Sequence, residues 1–351
     1  MGKEDNRPFF SIIIACFNPK NYLGGLLGSI VRQYLQDEIE VILSDDCSTE
    51  DYSDIVEKYR PLLNIKEIKT DYNFAPGNTR EKGLEIATGK WITFIDQDDI
   101  LIDDVLTLVK NIIEKEKEEY YVITDFIEVE ASSMRVIREY KRPSGWNHGK
   151  FYNLDNLWRN CDIHFKKDLF SHEDIYISST INCCLRHLNI KPLFIDLTTY
   201  VWVLNPKSLT HIKYKKLGND HTYFEALFKD YLESTAGVYI DRYENGFIDK
   251  DFAKQELIEV LGYTYFYIQS FIFHQPETYI RENLDICREL LVKIKELFNL
   301  NNEDIWNALA VKEGALFKAI EASASIGAGS YIPKQTLEGY LNYLHKDIKL
   351  R

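Results

Sequence analysis

Short apolar runs alternate with amphipathic segments over the first hundred residues of the chain. Four runs are rich in β-branched and aromatic residues and have the length of buried strands, at 9–16, 40–44, 65–69 and 91–95. Between them, apolar residues recur at steps of three and four, which is the spacing of a helix with one buried face. This alternation predicts an α/β fold with a Rossmann-like, mainly parallel sheet, flanked by helices and joined by right-handed crossovers.

Beyond residue 100 the pattern is less regular and then changes in character. Strands are predicted at 120–124 and 193–204, a strand pair at 127–140 and a helix at 173–189. From about Lys213 onward, apolar residues recur almost only at helical period. We therefore expect two domains, an α/β domain at 1–215 and an α-helical domain at 216–351.

Composition and charge narrow the function classes. Asp and Glu number 55 against 42 Lys and Arg, which gives a net charge of −13 and argues against a nucleic-acid partner. The six cysteines form no CxxC pair and fit reduced thiols. The N-terminus has no secretory segment, and the longest apolar stretch contains Glu259 and Gln269. We expect a cytoplasmic protein, whose basic tail permits peripheral contact with the inner face of a membrane.

An acidic tetrad follows the fourth predicted strand directly, and it is Asp96, Gln97, Asp98 and Asp99. Carboxylates this close raise one another's pKa unless a cation relieves the repulsion. The carboxyl ends of parallel strands are also where ligands bind in open α/β sheets. The tetrad therefore predicts a site for Mg²⁺ or Mn²⁺ bound through oxygen. A solvated acidic turn with a helix cap is the plainer alternative.

A second acidic pair, Asp45 and Asp46, follows the second predicted strand. Its carboxylates could accept hydrogen bonds from a base N–H or a ribose hydroxyl, or could simply cap the loop. Together with the tetrad, the N-terminal half resembles glycosyltransferase family two, which has the GT-A fold. Three blocks carry the resemblance, Ser11–Asn18 (SIIIACFN), Glu40–Asp51 (EVILSDDCSTED) and Asn73–Asp99. It covers roughly residues 8–212 and does not extend into the helical part.

The resemblance implies a nucleotide-binding role for several residues. Ala15 and Phe17 would lie against the nucleoside, and Asp46 would read the pyrimidine base. Arg80 would lie near the nucleotide, where a guanidinium suits a diphosphate. One departure is Glu81, which stands where the family often has Asn; an extra acid near a diphosphate is unfavourable unless it points away.

The resemblance also assigns metal-binding and catalytic residues. Asp96 is similar to the ribose-side member of the acidic motif, Asp98 to the metal ligand, and His211 to a His that completes the metal shell in some members. Asp174 matches the general base, with Glu173 as the alternative. In the plainer interpretation, these two acids cap the start of a helix and His211 is structural.

Four aromatic residues could stack on a sugar ring, although core packing is the more ordinary role for each. They are Trp146, Tyr152, Trp158 and Trp202.

The motifs together predict a metal-dependent inverting glycosyltransferase. The resemblance implies a nucleotide-sugar donor, UDP-linked, and an acceptor hydroxyl on a glycan, a lipid-linked sugar or a protein. Two alternatives stay open: a nucleotidyltransferase that makes an activated sugar, and a non-catalytic binding or assembly protein on the same scaffold. Residues 216–351 could complete the acceptor site, form a homo-oligomer or dock a partner.

Overall fold

The computed structural model describes residues 6–72, 76–143, 145–167, 169, 172–205, 230–231, 233–257, 260, 292–293 and 296–299. The chain divides into two compact units, Met1–Gly218 and Asn219–Arg351. The first unit contains the sheet and all of the site described below.

The first unit is an α/β structure. Its strands are β1 (Phe10–Cys16), β2 (Ile39–Asp45), β3 (Asn64–Lys69), β4 (Trp91–Phe94), β5 (Ile100–Leu101), β6 (Tyr121–Glu130), β7 (Val136–Tyr140), β8 (Lys150–Asn153) and β9 (Leu193–Leu204). Its helices are α1 (Leu23–Val31), α2 (Ser53–Tyr59), α3 (Pro76–Glu85), α4 (Val105–Glu116) and α5 (Glu173–His187), with a π-helical turn at Leu154–Arg159. The predicted fold class is confirmed.

The sheet is parallel in one half and mixed in the other. Its strand order is β3-β2-β1-β4-β8-β6-β9-β5, and β7 pairs with the outer part of β6. Strands β1 to β4 pair in parallel, whereas β8 runs antiparallel to both β4 and β6. The β6–β7 hairpin is also antiparallel. A parallel pair needs a long crossover, so the short connection within the β6–β7 hairpin makes that pair antiparallel.

Close packing in the core places helix α3 at the carboxyl edge of the sheet. Every residue of β2 is buried, as the unbroken apolar run of a strand covered on both faces predicts. Helix α3 lies very close to the sheet at Gly83, where a Cβ atom would come within 2.6 Å of Ile13 Cγ2. This close approach places Arg80, one turn earlier on α3, beside the carboxyl ends of the strands.

The described part of the second unit is helical. Helix α6 spans Ala236–Glu244, and residues 250–257 are also helical. Most of the predicted domain at 216–351 lies outside the described residues, so its boundary near Lys215 and its accessory role stay predictions. Among the helices that the structure describes, none combines the length and the apolar character needed to cross a membrane.

Candidate active site

The acidic tetrad begins two residues after the end of β4, at the carboxyl edge of the sheet. Asp99 is fully buried, and both of its oxygens are engaged: Tyr200 Oη donates to Oδ2 at 2.5 Å and the Val203 N–H donates to Oδ1 at 2.8 Å. The Tyr200 hydroxyl also accepts from the Asp96 N–H at 3.2 Å. Strand β9 therefore fixes the conformation of the acidic loop.

Arg80 joins the acidic loop to the start of α5. One guanidinium nitrogen donates to Asp96 Oδ1 at 2.7 Å and another donates to Glu173 Oε1 at 2.9 Å. Burial opposes ionisation of Asp96, but the Arg80 charge and the His148 ring hold the pKa of this carboxyl well below its usual range. Arg80 thus forms hydrogen bonds to two carboxylates of the chain, and its role toward a nucleotide stays a prediction.

His148 extends this acidic group. Its Nε2 lies 3.7 Å from Asp96 Oδ2, and its ring stacks on Tyr200 with centroids 4.5 Å apart. Asp96, Asp99 and His148 each offer one ligand atom within 4.8 Å of the others. Carboxylate oxygens with one imidazole nitrogen suit Mn²⁺. The buried Nδ1 of His148 has no hydrogen-bond partner among the described residues.

In the part of the chain that the structure describes, neither Asp98 nor Asp99 forms an ion pair with a lysine or an arginine. Burial, and then the Asp96 charge, raise the pKa of Asp98 and of Asp99 above the usual range. Asp98 Oδ2 accepts a hydrogen bond from Asn205 Nδ2 at 3.2 Å. A divalent cation in this loop would offset the repulsion between the carboxylates and favour their ionised forms, so the donor set fits a metal.

The predicted nucleotide residues meet at the same edge of the sheet. Ala15 lies near the end of β1 and Asp46 directly follows β2, where its N–H donates to Cys16 O at 2.7 Å. Gln97 ties this edge to the acidic loop, because Phe17 N donates to Gln97 Oε1 at 2.7 Å and Gln97 Nε2 donates to Phe17 O at 3.0 Å. The Phe17 side chain is 43% exposed.

Glu173 and Asp174 occupy the first turn of α5, but their environments differ. Glu173 is bound to Arg80, whereas Asp174 Oδ1 accepts only a local hydrogen bond from Ile175 N, at 2.8 Å, among those described. Burial and the neighbouring Glu173 charge raise the pKa of Asp174 to about 7, against the opposing charges of Arg80 and Lys150. The two acids therefore differ in their partners, because Arg80 binds Glu173 and not Asp174.

Comparison with known proteins identifies the domain. The family model "Glycosyl transferase family 2" matches residues 11–170. This part of the chain is a family 2 glycosyltransferase domain. Two curated relatives match shorter segments. TarS of Staphylococcus aureus, a poly(ribitol-phosphate) beta-N-acetylglucosaminyltransferase, is 38% identical over 28% of this chain and 17% of its own length. WfaP of Escherichia coli, a UDP-Glc:alpha-D-GlcNAc-diphosphoundecaprenol beta-1,3-glucosyltransferase, is 34% identical over 33% of this chain and 48% of its own length.

A solved structure extends the likeness beyond the family 2 domain. S. aureus TarS residues 1–349, in complex with UDP-GlcNAc, superposes with a TM-score of 0.64 and 20% identity. The match covers 91% of this chain and 92% of that one. At this identity the likeness establishes a shared fold, which is GT-A.

The first unit contains functional candidates that the sequence motifs did not single out. His148 lies in a turn-rich loop and Tyr200 inside an apolar strand, so neither carries a motif. Lys150 is fully buried at the start of β8, and its Nζ donates to Ser178 Oγ of α5 at 3.2 Å. Burial lowers the pKa of Lys150 to about 7, although the Asp174 charge opposes this shift. Lys150 is distinguished by its burial, and burial cannot be recognised from one sequence.

Other sequence candidates are also placed. Glu81 points away from the tetrad, because its oxygens contact His164 Nδ1 at 2.8 Å and accept from Phe165 N at 2.9 Å. Tyr152 and Trp158 are buried in the core, whereas Trp146 is exposed and Trp202 half-buried. His211, the predicted third metal ligand, lies outside the described residues.

Proposed function

We propose that this chain transfers a sugar from a UDP-sugar to an acceptor hydroxyl, with inversion at the anomeric carbon and Asp174 as the general base. The observation that carries the proposal is the unequal pair at the start of α5. Asp174 has a near-neutral pKa, while Glu173 is committed to the Arg80 bridge. The names of TarS and WfaP, and the UDP-GlcNAc bound to TarS, support a UDP-sugar donor.

The proton transfer suits this geometry. As the acceptor oxygen attacks the anomeric carbon, its proton passes to the Asp174 carboxylate, and the bond from that carbon to the diphosphate oxygen breaks. A base with a pKa near the working pH is ionised often enough to act and still basic enough to take a proton. Glu173 lacks this freedom because a charge-assisted hydrogen bond already holds it.

The acidic loop would hold the metal that the family resemblance implies. Asp98, the predicted ligand, would bind Mn²⁺ or Mg²⁺ there together with Asp96, whose carboxylate groups with Asp99 and His148, and His211 stays a predicted ligand. When bound, such a cation neutralises negative charge on a leaving diphosphate. Arg80 holds Asp96 and Glu173 in fixed positions, so that the loop and the base keep their relative placement.

The test compares the two acids of α5 in one assay, release of UDP from UDP-sugars with water as acceptor. We expect Asp174→Asn to lower the rate by about a thousandfold, since general-base contributions reach this range. Glu173→Gln should lower it by only about tenfold, because it loosens a positioning contact. Wild-type turnover by Asp174→Asn, or a larger loss in Glu173→Gln, would show that Asp174 is not the base.

Donor binding separates the metal residues from the base. A thermal shift with UDP should require Mn²⁺ in the wild type, because a ligand that binds the native state raises the melting temperature. Asp98→Asn should lose that metal-dependent shift, and Asp174→Asn should keep it. A metal-dependent shift that survives in Asp98→Asn would remove Asp98 from the metal site.

A further inference from the structure

We propose that Gln97 is a positioning residue for the nucleoside part of the donor. Its side-chain amide holds the loop after β1 against the acidic loop, so that the ring of Phe17 stays where the base of the donor stacks on it. Gln97 itself contacts neither the base nor the metal. This inference rests on the proposed function, because that function supplies the UDP-sugar whose base is bound.

Gln97 lies where the strand order of the sheet reverses. Strand β1 has β2 on one side and β4 on the other, and both pair with it in parallel. The chain passes from β1 to β2 and β3 on one side and then crosses to β4, so the loops after β1 and β4 diverge at this point. Ligands of open α/β sheets bind in the crevice between two such loops. Phe17 and the acidic tetrad therefore lie at the same crevice.

Both polar atoms of the Gln97 side chain are engaged by one residue of the opposite loop. The Phe17 N–H donates to Gln97 Oε1 at 2.7 Å, and Gln97 Nε2 donates to Phe17 O at 3.0 Å. The side chain thus meets the backbone as a residue of a neighbouring strand does. A primary amide offers the acceptor and the donor that this pair of hydrogen bonds needs, whereas a carboxylate offers acceptors alone. The contact therefore requires an amide.

The acidic loop is the fixed partner in this contact. Asp99 is fully buried, and both of its oxygens accept hydrogen bonds from strand β9. Asp96 accepts a hydrogen bond from Arg80 at 2.7 Å. These contacts do not involve Gln97, so they keep the acidic loop in place without it. The loop that Gln97 positions is therefore the one after β1.

The loop after β1 is also tied to the loop after β2. Asn18 Oδ1 accepts from Thr49 N at 2.9 Å and from Glu50 N at 3.1 Å, and the Asn18 N–H donates to Ser48 Oγ at 2.9 Å. Asn18 has a φ of 49°, in the left-handed region that Asn adopts at a lower cost than most residues. The backbone at residues 17 and 18 is thus held from both sides, by Asn18 on one and by Gln97 on the other.

Phe17 presents an aromatic ring at this fixed place. It directly follows the buried strand β1, yet it is 43% exposed. A phenyl ring has only two side-chain torsions, so a fixed backbone restricts the ring to few positions. Nucleobases stack on exposed aromatic rings, and binding is tighter when the ring does not have to be ordered first. Loss of the Gln97 contact should therefore weaken nucleoside binding without removing an atom that touches the ligand.

Binding of uridine in the absence of metal tests this role. Uridine carries the base and the ribose but no phosphate, so a cation in the acidic loop makes no contribution to the measurement. Gln97→Met keeps the length of the side chain and removes both hydrogen bonds to Phe17. We expect it to raise the uridine Kd about tenfold in calorimetric titration, a loss of the size that one net hydrogen bond gives. An unchanged Kd would overturn the inference.

Gln36→Met is the matched control. Gln36 is half-buried like Gln97, and its Nε2 donates to Val31 O at 2.9 Å, but it precedes the amino end of β2. We expect this variant to bind uridine as the wild type does. If Gln97 only stabilised the fold, Gln97→Met would lower the melting temperature and leave the uridine Kd of the folded protein unchanged. That result, or an equal rise of the Kd in both variants, would overturn the inference.

A double-mutant cycle tests whether Gln97 acts through Phe17. Phe17→Ala alone should raise the uridine Kd about tenfold, because the stacking of a base on an aromatic ring contributes about this much. In the Phe17→Ala background, Gln97→Met should add less than about threefold, since no ring is left to position. Independent effects would multiply to about a hundredfold, and that outcome would show that Gln97 does not act through the ring.

The donor assay separates this inference from the proposed function. In UDP-sugar hydrolysis, Gln97→Met should raise the KM of the donor about tenfold and leave kcat within about threefold, because the lost contact serves the ground state and the transition state alike. A wild type that binds uridine but hydrolyses no UDP-sugar contradicts the proposed function alone, and the cycle still decides the role of Gln97. A wild type that hydrolyses UDP-sugars, with the same KM in Gln97→Met, contradicts that role alone. Absence of both uridine and UDP binding would overturn both proposals.

Discussion

Both ends of the sheet bury carboxylates, but the two ends differ in how completely the chain supplies hydrogen-bond and charge partners for them. Glu40, near the amino end of β2, accepts hydrogen bonds from Ser11, Thr88 and Gly89 and pairs with Lys66 Nζ at 2.6 Å. Burial opposes its ionisation, yet Lys66 and the other donors hold the pKa of Glu40 below its ordinary value. This carboxylate has all the partners it needs within the chain.

The carboxyl end of the sheet leaves its acids less satisfied. Burial raises the pKa of Asp98, Asp99 and Asp174, and neighbouring carboxylates raise it further. A fold gains nothing from acids in this state, so their cost indicates that a ligand or a proton completes them. A raised pKa therefore distinguishes Asp98, Asp99 and Asp174 from Glu40, whereas Asp96 of the same site has a lowered pKa because Arg80 lies beside it.

The largest effect should come from the satisfied end. Glu40→Gln removes the charge that Lys66 and the surrounding donors require, and we expect it to lower the free energy of unfolding by about 3 kcal/mol. Urea denaturation at pH 8 measures the change. Donor binding per folded molecule should stay the same, because Glu40 lies at the opposite end of the strands. Unchanged stability would mean that this network does not hold the fold together.

At the other end, neutralising an acid should stabilise the protein. The pKa of Asp174 is near 7 in the folded state against 3.8 as the ordinary value, so wild-type stability falls as the pH rises between these values. We expect Asp174→Asn to raise the free energy of unfolding at pH 8 by about 2 kcal/mol, half of the full conversion because the carboxyl is partly exposed. The gain should shrink by more than half at pH 5. A loss of stability at pH 8 would contradict the comparison.

The pH dependence of UDP-sugar hydrolysis sharpens the same contrast. Asp174 must be ionised to act as a base, so the rate should fall about tenfold per pH unit below a limb near pH 7. Glu173→Gln removes the charge that raises this pKa, so the limb should move to lower pH in the residual activity. If the rate begins to fall at the same pH in the wild type and in Glu173→Gln, the pH profile does not report the ionisation of this pair of acids.

Local pattern was enough to predict the first four strands, their helices and the acidic loop. Buried parallel strands read as continuous apolar runs, and carboxylates directly after such a run stand out. Asp96 and Asp98 could therefore be proposed as site residues without a structure. The strand predicted at 120–124 and the first half of the strand pair predicted at 127–140 form one continuous strand, β6, and the second half of that pair is β7.

The rest of the site depends on contacts between distant parts of the chain. His148 meets Asp96 because β8 inserts antiparallel between β4 and β6, and no local spacing encodes that insertion. Tyr200 reaches Asp99 across about a hundred residues of sequence, from inside an apolar strand. The division of labour between Glu173 and Asp174 became visible only when Arg80 was seen to bind one of them.

The smallest effect is expected at His164, which forms ion pairs with two carboxylates as Lys66 does with Glu40, but at the surface. His164 contacts Glu81 Oε1 at 2.8 Å and Asp162 Oδ1 at 2.7 Å, and its side chain is 61% exposed. Burial opposes protonation, but the two carboxylates raise the pKa of His164. Its contribution to stability is therefore complete at low pH and is lost as the pH rises through the raised pKa. We expect His164→Gln to cost about 0.5 kcal/mol at pH 6 and nothing at pH 9, since exposed pairs are screened by solvent. If His164→Gln lowered the free energy of unfolding at pH 6 as much as Glu40→Gln does, the number of partners, rather than burial, would determine how much a carboxylate network stabilises this fold.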